Sequence, residues 1–352
     1  MNHVVIMAGG VGSRFWPMST PERPKQFIDV LGVGRTLLQL TVDRLAPLCP
    51  VQNVWVVTSV QYKQLVREQL PEIPESNILL EPCMRNTAPC IAYAAWKIKK
   101  RDPEANLVIS AADHIVMDVN EFVRVVKKGL DFVAGADRIL TLGMRPTRPE
   151  TGYGYIKIKS QDLSAESCEE IREVEGFQEK PDLETVRKYV TGGGYYWNAG
   201  IFLWNVKTIE KAFRANKPEM AELFDAMEQA FYTPEEQVLL EQKFPECEKI
   251  SIDYAIMERA RNIFVFLADF GWSDLGTWGS LYEQLPKDAE GNAVVGKKVS
   301  LVESRGCVVH VPEDKKMVLQ GLEDYIIVEN QGVLLICRKA DEQRIKEFSS
   351  GF

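Results

Sequence analysis

Short runs of apolar, often β-branched residues recur along the first 285 positions, with stretches of helical apolar period between them. The runs are Val4–Ala8, Val54–Ser59, Ile78–Glu81, Leu107–Ala112, Ile139–Gly143 and Ile263–Ala268. They are too short for helices and nearly unbroken in hydrophobicity, which predicts strands buried on both faces. Gln61–Gln69, Ala88–Lys100 and Glu121–Val133 read as helices; in the last, Phe122, Val125, Val126, Leu130 and Val133 fall on one side. This alternation predicts an α/β fold with a mostly parallel sheet, helices on both faces and ligands at the carboxyl ends of the strands.

After Leu285 the texture changes. Pro286–Asn292 (PKDAEGN) reads as a polar linker. Short β-like pieces follow at Ala293–Val302, Cys307–Val311, Met317–Gln320, Tyr325–Glu329 and Val333–Cys337, then a helix over Ala340–Phe348. The expected division is a large α/β domain, 1–285, and a small β-rich domain, 286–352, whose short strands suit a rudimentary β-coil.

Composition narrows the classes. A chain of 352 residues, 45% hydrophobic, is ample for a buried core, and a net charge of −8 argues against a broad basic face for nucleic acid. A few cations gathered locally still suffice for a phosphate ligand. Seven cysteines, at 49, 83, 90, 168, 247, 307 and 337, show no metal-type spacing and read as free thiols of a reducing compartment. The opening apolar run is too short for a signal peptide, and none approaches the roughly 20 residues of a membrane span. A soluble, cytoplasmic protein is expected.

The first strand runs into Ala8-Gly9-Gly10-Val11-Gly12-Ser13-Arg14, then Phe15-Trp16-Pro17. Glycines just after a strand let backbone N–H groups approach an oxyanion. Arg14 can fork onto phosphate oxygens, and Lys25 in Pro24-Lys25-Gln26 adds a point charge. Together they suggest a triphosphate cradle. A dinucleotide fingerprint is opposed, because Phe15 stands where its third glycine belongs, and no P-loop string occurs.

The string GGxGxRxWPxS followed by PKQF resembles the signature of the sugar-nucleotide pyrophosphorylases, most closely the mannose-1-phosphate guanylyltransferase branch. The likeness continues along nearly the whole chain, and it implies a Rossmann-like nucleotidyltransferase domain followed by a β-helix-like one. Asp113, in SAADH, ends a predicted strand, and Asp274 lies in WSDLGTW after another. Mg²⁺ typically takes one or two carboxylates plus substrate phosphates, which such a pair fits; the resemblance implies that the two share one ion. Taken in isolation, Asp113 reads equally well as a turn residue or helix cap and Asp274 as a turn residue before glycine; the other motifs together favour the metal reading. His114 reads as a packing or positioning residue.

On the sugar side, Gly152-Tyr153-Gly154-Tyr155-Ile156 resembles the family's GYGYI strand, with Gly154 at the close approach. Phe177-Gln178-Glu179-Lys180-Pro181 resembles FxEKP: a carboxylate for hydroxyls beside an ammonium for the sugar's phosphate. Adjacent side chains of an extended segment point apart, so Glu179 and Lys180 share a ligand only if the backbone kinks. Trp197-Asn198-Ala199-Gly200-Ile201-Phe202 resembles WNxGIF, where Asn198 offers a donor and an acceptor to a diol. Gly192–Gly194 suggests a mobile loop over the site, and Ser251-Ile252-Asp253-Tyr254, which resembles another family element, a helix start with Asp253 as a candidate site residue. Glu81-Pro82-Cys83-Met84-Arg85-Asn86-Thr87-Ala88-Pro89 resembles the guanylyl branch's EPxxRNTAP, with Arg85, Asn86 and Thr87 on the nucleotide side.

The resemblance implies GTP and mannose 1-phosphate as substrates, GDP-mannose and pyrophosphate as products, Mg²⁺ as cofactor, and a homodimer without nucleic-acid or membrane partners. Ala8, Gly9, Gly10, Gly12, Ser13, Arg14, Lys25 and Asp113 would hold the nucleotide; Gly154, Glu179, Lys180 and Asn198 the sugar phosphate; Arg14, Lys25, Asp113 and Asp274 would carry catalysis. Another base or sugar phosphate, or a non-catalytic nucleotide-sugar sensor, are the competing readings. Longer relatives carry an isomerase domain; with histidines only at 3, 114 and 310, no such activity is expected here.

Overall fold

The computed structural model describes residues 1–10, 13–159 and 170–349. The chain forms two compact units: Met1–Gly9, Val42–Ala111 and Val116–Trp272 make the first, and Gly10–Thr41, Ala112–Ile115 and Ser273–Phe352 the second. This division does not follow the expected boundary at 285/286. The reason is packing: Phe15, Met18, Val30 and Leu37 share a core with Trp278, Leu281, Val308 and Ile326, and the Phe15 and Trp278 rings lie 5.0 Å apart. Sequence texture separates the tail but cannot show that an early segment packs with it.

The first unit is built on nine strands: β1 (Asn2–Met7), β2 (Val54–Ser59), β3 (Ile78–Glu81), β4 (Asn106–Ala111), β5 (Ile139–Met144), β6 (Tyr155–Ile158), β7 (Ile171–Gln178), β8 (Tyr195–Asn205) and β9 (Ile263–Ala268). Their order is β3-β2-β1-β4-β8-β5-β9-β7-β6, with β6 also pairing β8. The six strands expected from apolar runs are present, with ends moved by at most two residues. The sheet is mixed, not mostly parallel. β1, β2, β3 and β4 pair in parallel, as do β5 and β9, but β8 runs antiparallel to β4, β5 and β6, and β7 antiparallel to β6 and β9. An apolar run reports burial, not direction, so this reversal is invisible in the pattern.

Helices cover the sheet as the stripes require. Val119–Val133 begins on Asp118, whose carboxylate accepts the Glu121 N–H at 2.9 Å, and the stripe from Phe122 to Val133 is buried. Thr87–Arg101 begins on Asn86, which accepts the Thr87 N–H at 2.9 Å. The expected Gly192–Gly194 loop is a two-residue connection: Gly192 ends the helix Leu183–Gly192, Gly193 and Gly194 have φ of 70° and 77°, and β8 starts at Tyr195.

The sheet is irregular at one place in its centre. Thr141 pairs with Phe202 and Gly143 with Asn198, so β8 carries extra residues between two neighbouring pairs. Gly200 sits in this bulge at φ 65°, a conformation that costs other residues about 1–2 kcal/mol. The bulge turns Asn198 toward Thr141, whose hydroxyl donates to its Oδ1 at 2.8 Å.

In the second unit, β10 (Ala293–Val295), β12 (Val308–His310), β14 (Tyr325–Asn330) and β15 (Val333–Arg338) form one sheet, and β11 (Val299–Val302) pairs β13 (Met317–Gln320). β10, β12 and β14 stack in parallel, as do β11 and β13. The six cysteines among the described residues are free; Cys168 lies outside them. Among the described residues no helix is long and apolar enough to cross a membrane.

Gly200→Ala is expected to lower the unfolding free energy by about 1–2 kcal/mol, seen as a fall of several degrees in the calorimetric midpoint. An unchanged midpoint would show that the bulge tolerates a side chain and does not fix Asn198.

Candidate active site

The sequence places the first strand's glycines, two aspartates and a lysine in separate motifs, and the second unit brings the charged ones together. Lys25 opens a short 3₁₀ turn, Lys25–Phe27, and is 8% exposed. Its ammonium donates to Asp113 Oδ2 at 3.0 Å and to the carbonyls of Asp274 and Leu275 at 2.9 and 3.0 Å. An ammonium has three N–H donors, so this set is full. Lys25 is thus a junction, where the sequence suggested a free point charge. Leu275 adopts φ 45°, and this left-handed turn lets two successive carbonyls face one cation.

Burial alone would raise the Asp113 carboxyl, but the charges of Lys25 and then His114 outweigh it and hold it below the ordinary aspartate range. His114 Nε2 stands 3.7 Å from Asp113 Oδ1. The Asp274 carboxylate accepts the Gly276 N–H at 3.1 Å, and a Cβ at 276 would lie 3.0 Å from its other oxygen. Glycine there leaves the carboxylate its room. Gln26 donates to the Gly10 carbonyl at 2.8 Å, tying the glycine loop to the same turn. Arg14 is exposed, with no ion-pair partner among the described residues. Gly12 lies outside the described residues, as does the Ser13 side chain.

Among the described residues no group of three or more His, Cys, Asp or Glu stands ready to hold a metal. Lys25 is met by the Asp113 carboxylate and by the backbone carbonyl of Asp274, not its side chain; the two carboxylates are hard oxygen donors of the kind that leave most of a Mg²⁺ shell to water and phosphate.

The first unit holds the other motifs. Ala8 caps β1 by donating to the Val57 carbonyl at 2.8 Å. Beside it Gly9 faces Glu81, whose Oε2 would lie 3.7 Å from a Cβ at that position. Glu81 ends β3, is 6% exposed, and its Oε1 has no hydrogen-bond partner among the described residues. Burial pushes its carboxyl up to about 8. Glu81 is absent from the site residues expected from the sequence; the available signal was a carboxylate closing a fully apolar strand at its carboxyl end. Asn86 is exposed at φ 70° and serves as the helix cap. The Thr87 hydroxyl accepts the Ile252 N–H at 2.9 Å. The Arg85 guanidinium is turned to the Pro245 carbonyl and holds that loop.

The sugar-side motifs meet. A Cβ at Gly154 would lie 2.6 Å from Glu179 Oε2, 3.1 Å from Phe177 Cζ and 3.5 Å from the Asn198 Cβ, so a side chain there would displace the Glu179 carboxylate. The Asn198 N–H donates to the Gly154 carbonyl at 2.8 Å, and the Lys180 N–H to that of Tyr153 at 3.2 Å. Lys180 has φ 45°, the kink required for both charged side chains to face one place, and its ammonium meets Glu179 at 2.8 Å. Tyr153 packs edge-on against Trp197 and Trp272, each at 5.2 Å, walling one side.

Asn198 departs from the expected role. Its Oδ1 accepts from Thr141 and, at 3.3 Å, from the Gly200 N–H, while Nδ2 donates to Asp253 at 3.1 Å. The amide therefore offers a ligand one N–H, not a donor and an acceptor. Asp253 stands at the head of a π-helical turn, Asp253–Met257, rather than an ordinary helix start.

The family model for nucleotidyl transferases matches residues 3–291. Mannose-1-phosphate guanylyltransferase 2 of Escherichia coli O157:H7 is 35% identical over 350 residues, covering 97% of this chain and 72% of that protein. Mannose-1-phosphate guanylyltransferase of Salmonella montevideo is 37% identical over 346 residues, with the same coverage of 97% and 72%. The crystal structure of mannose-1-phosphate geranyltransferase from Thermus thermophilus superposes with a TM-score of 0.87 at 29% identity, over 99% of this chain and 98% of that one. Matched across most of its length by model, sequence and structure alike, the chain belongs to the nucleotidyl transferase family, on its mannose-1-phosphate guanylyltransferase branch.

Proposed function

We propose that this protein joins GTP and α-D-mannose 1-phosphate into GDP-mannose and pyrophosphate. The observation that carries the reading is the Lys25 junction, which links the PKQF, SAADH and WSDLGT motifs through one ammonium. The names of the relatives support the choice of substrates. The parallel strands β1 to β4 supply the Rossmann-like, nucleotide-holding half, and the parallel stacking of β10, β12 and β14 suits a β-helix-like tail.

In this mechanism a phosphate oxygen of the sugar phosphate attacks the α-phosphorus of GTP, the bond to the β-phosphate oxygen breaks, and pyrophosphate leaves. The nucleophile already carries negative oxygens, so no strong base is needed. The difficulty is bringing two anions together, which favours positioning and charge neutralisation. Arg14 forks onto the triphosphate, and Lys25 steadies it by exchanging one of its carbonyl partners. Asp113 and Asp274 would be the residues to hold a Mg²⁺ ion, which would screen phosphate charge when bound. Lys180 orients the attacking phosphate, while Glu179 and the free Asn198 N–H hold sugar hydroxyls.

Glu81 is the natural reader of the base. Guanine presents N1–H and N2–H₂ as adjacent donors, which two carboxylate oxygens accept together; adenine offers an acceptor and one donor there. These donors favour the ionised form and pull the raised Glu81 pKa back down. The tail leaves Leu334 and Ile336 exposed two residues apart on one strand, a feature suited to a second copy in a cytoplasmic homodimer.

Pyrophosphate release is expected only with GTP, mannose 1-phosphate and Mg²⁺ together, and to stop on chelation; release without the sugar phosphate would overturn the reading. Asp113→Ala is expected to lose about 100-fold or more in kcat/KM. Lys25→Ala is expected to lose as much and also to melt lower, by about 3 kcal/mol, because it strips a buried junction of its cation; normal turnover by either folded variant removes that assignment. Glu81→Gln is expected to cut the GTP-over-ATP preference at least about tenfold, the scale of one misplaced hydrogen bond, measured as a ratio of kcat/KM values. An unchanged ratio would place base selection elsewhere.

A further inference from the structure

Asp253 belongs to the sugar-side cluster, yet the proposed mechanism gives it no task. It opens a π-helical turn, a geometry common at functional sites. It takes one of the two Asn198 amide protons at 3.1 Å while Thr141 and Gly200 occupy the amide oxygen. A single N–H is left, and the Asp253 carboxylate decides where it points. We infer that Asp253 is a positioning residue of the sugar-phosphate subsite, fixing the Asn198 amide and setting how much negative charge the incoming sugar phosphate meets. This rests on the reading of Glu179, Lys180 and Asn198 as that subsite.

The surroundings of Asp253 give the second half of this role. From the turn after β7, Glu179 opposes its ionisation and Lys180 favours it. β8 contributes the uncharged Asn198. The helix Val206–Asn216 sends Val206, Ile209 and Phe213 into the core shared with Ile252, Ala255 and Ile256. On its own turn Ser251 bonds it, Tyr254 is exposed, and the Glu258 carboxylate is occupied by the Glu179 N–H at 3.2 Å. Burial, and then the Glu179 charge, push the Asp253 carboxyl up to about 7. Below that pH it is neutral; above it a second negative charge stands beside Glu179, where a phosphate monoester has to dock. Repulsion of this kind weakens binding and leaves the chemical step alone. It therefore moves KM, not kcat.

The test measures KM and kcat for mannose 1-phosphate, with GTP saturating, from about pH 6 to about pH 8, in wild type, Asp253→Asn and Asp253→Ala. Asparagine keeps an oxygen for the Asn198 amide but never ionises. The wild-type KM is expected to climb roughly threefold to tenfold more than that of Asp253→Asn over this range, the scale of one nearby charge. Ionisation of the substrate's own phosphate is common to both and cancels in the comparison. Asp253→Ala is expected to raise KM at every pH with little change in kcat, and Asp253→Asn to rescue it at the acidic end. Parallel KM curves for wild type and Asp253→Asn would overturn the inference while leaving the proposed reaction intact. Equal loss in kcat and melting temperature for both variants would assign Asp253 a merely structural role and overturn it too. A wild-type enzyme that does not turn over this substrate pair removes the proposed function, and this inference with it.

Discussion

A buried ammonium is tolerable only when its three protons are taken, and the second unit is arranged around that requirement at Lys25. One carboxylate and two consecutive carbonyls satisfy it, and each comes from a different demand on the chain. Asp113 follows a strand end, Leu275 accepts an unfavourable left-handed backbone while fully buried, and Lys25 gives up its solvent. The gain is geometric. A lysine stem that long has many rotamers in water, and here it is held to one, so the groups it touches keep fixed positions.

The same logic runs through the carboxylates. Asp113 is kept ionised by Lys25 in spite of burial, whereas Glu81 and Asp253 have no cation close enough to offset theirs and are pushed up to about 8 and about 7. The three acids are thus displaced in different directions, Asp113 by a neighbouring cation and Glu81 and Asp253 chiefly by burial.

Much of this was legible before any coordinates. Unbroken apolar runs located β2, β3 and β9 to the residue, because burial on both faces leaves no other reading of Val54–Ser59 or Ile263–Ala268. The helix stripe from Phe122 to Val133 is equally plain. The resemblance to family motifs pointed to Gly154, Glu179, Lys180 and Asn198, and the need for a kink if Glu179 and Lys180 are to share a ligand followed from strand geometry. What escaped depends on non-local facts. The direction of β8 is set by which neighbours it meets. The grouping of Phe15 with Trp278 is a packing event across most of the chain. The saturation of the Asn198 oxygen and the isolation of Glu81 are counts of partners, which only coordinates supply.

The bulge in β8 carries one more implication. Because Gly200 and Thr141 together aim the Asn198 amide, the proposed role of Asn198 would write any preference among sugars into the pairing of central strands rather than into a surface loop. Altering that preference by exchanging loops would leave its determinant untouched. On that reading, a change of acceptor sugar, whether by selection or by design, has to pass through buried residues at the centre of the sheet.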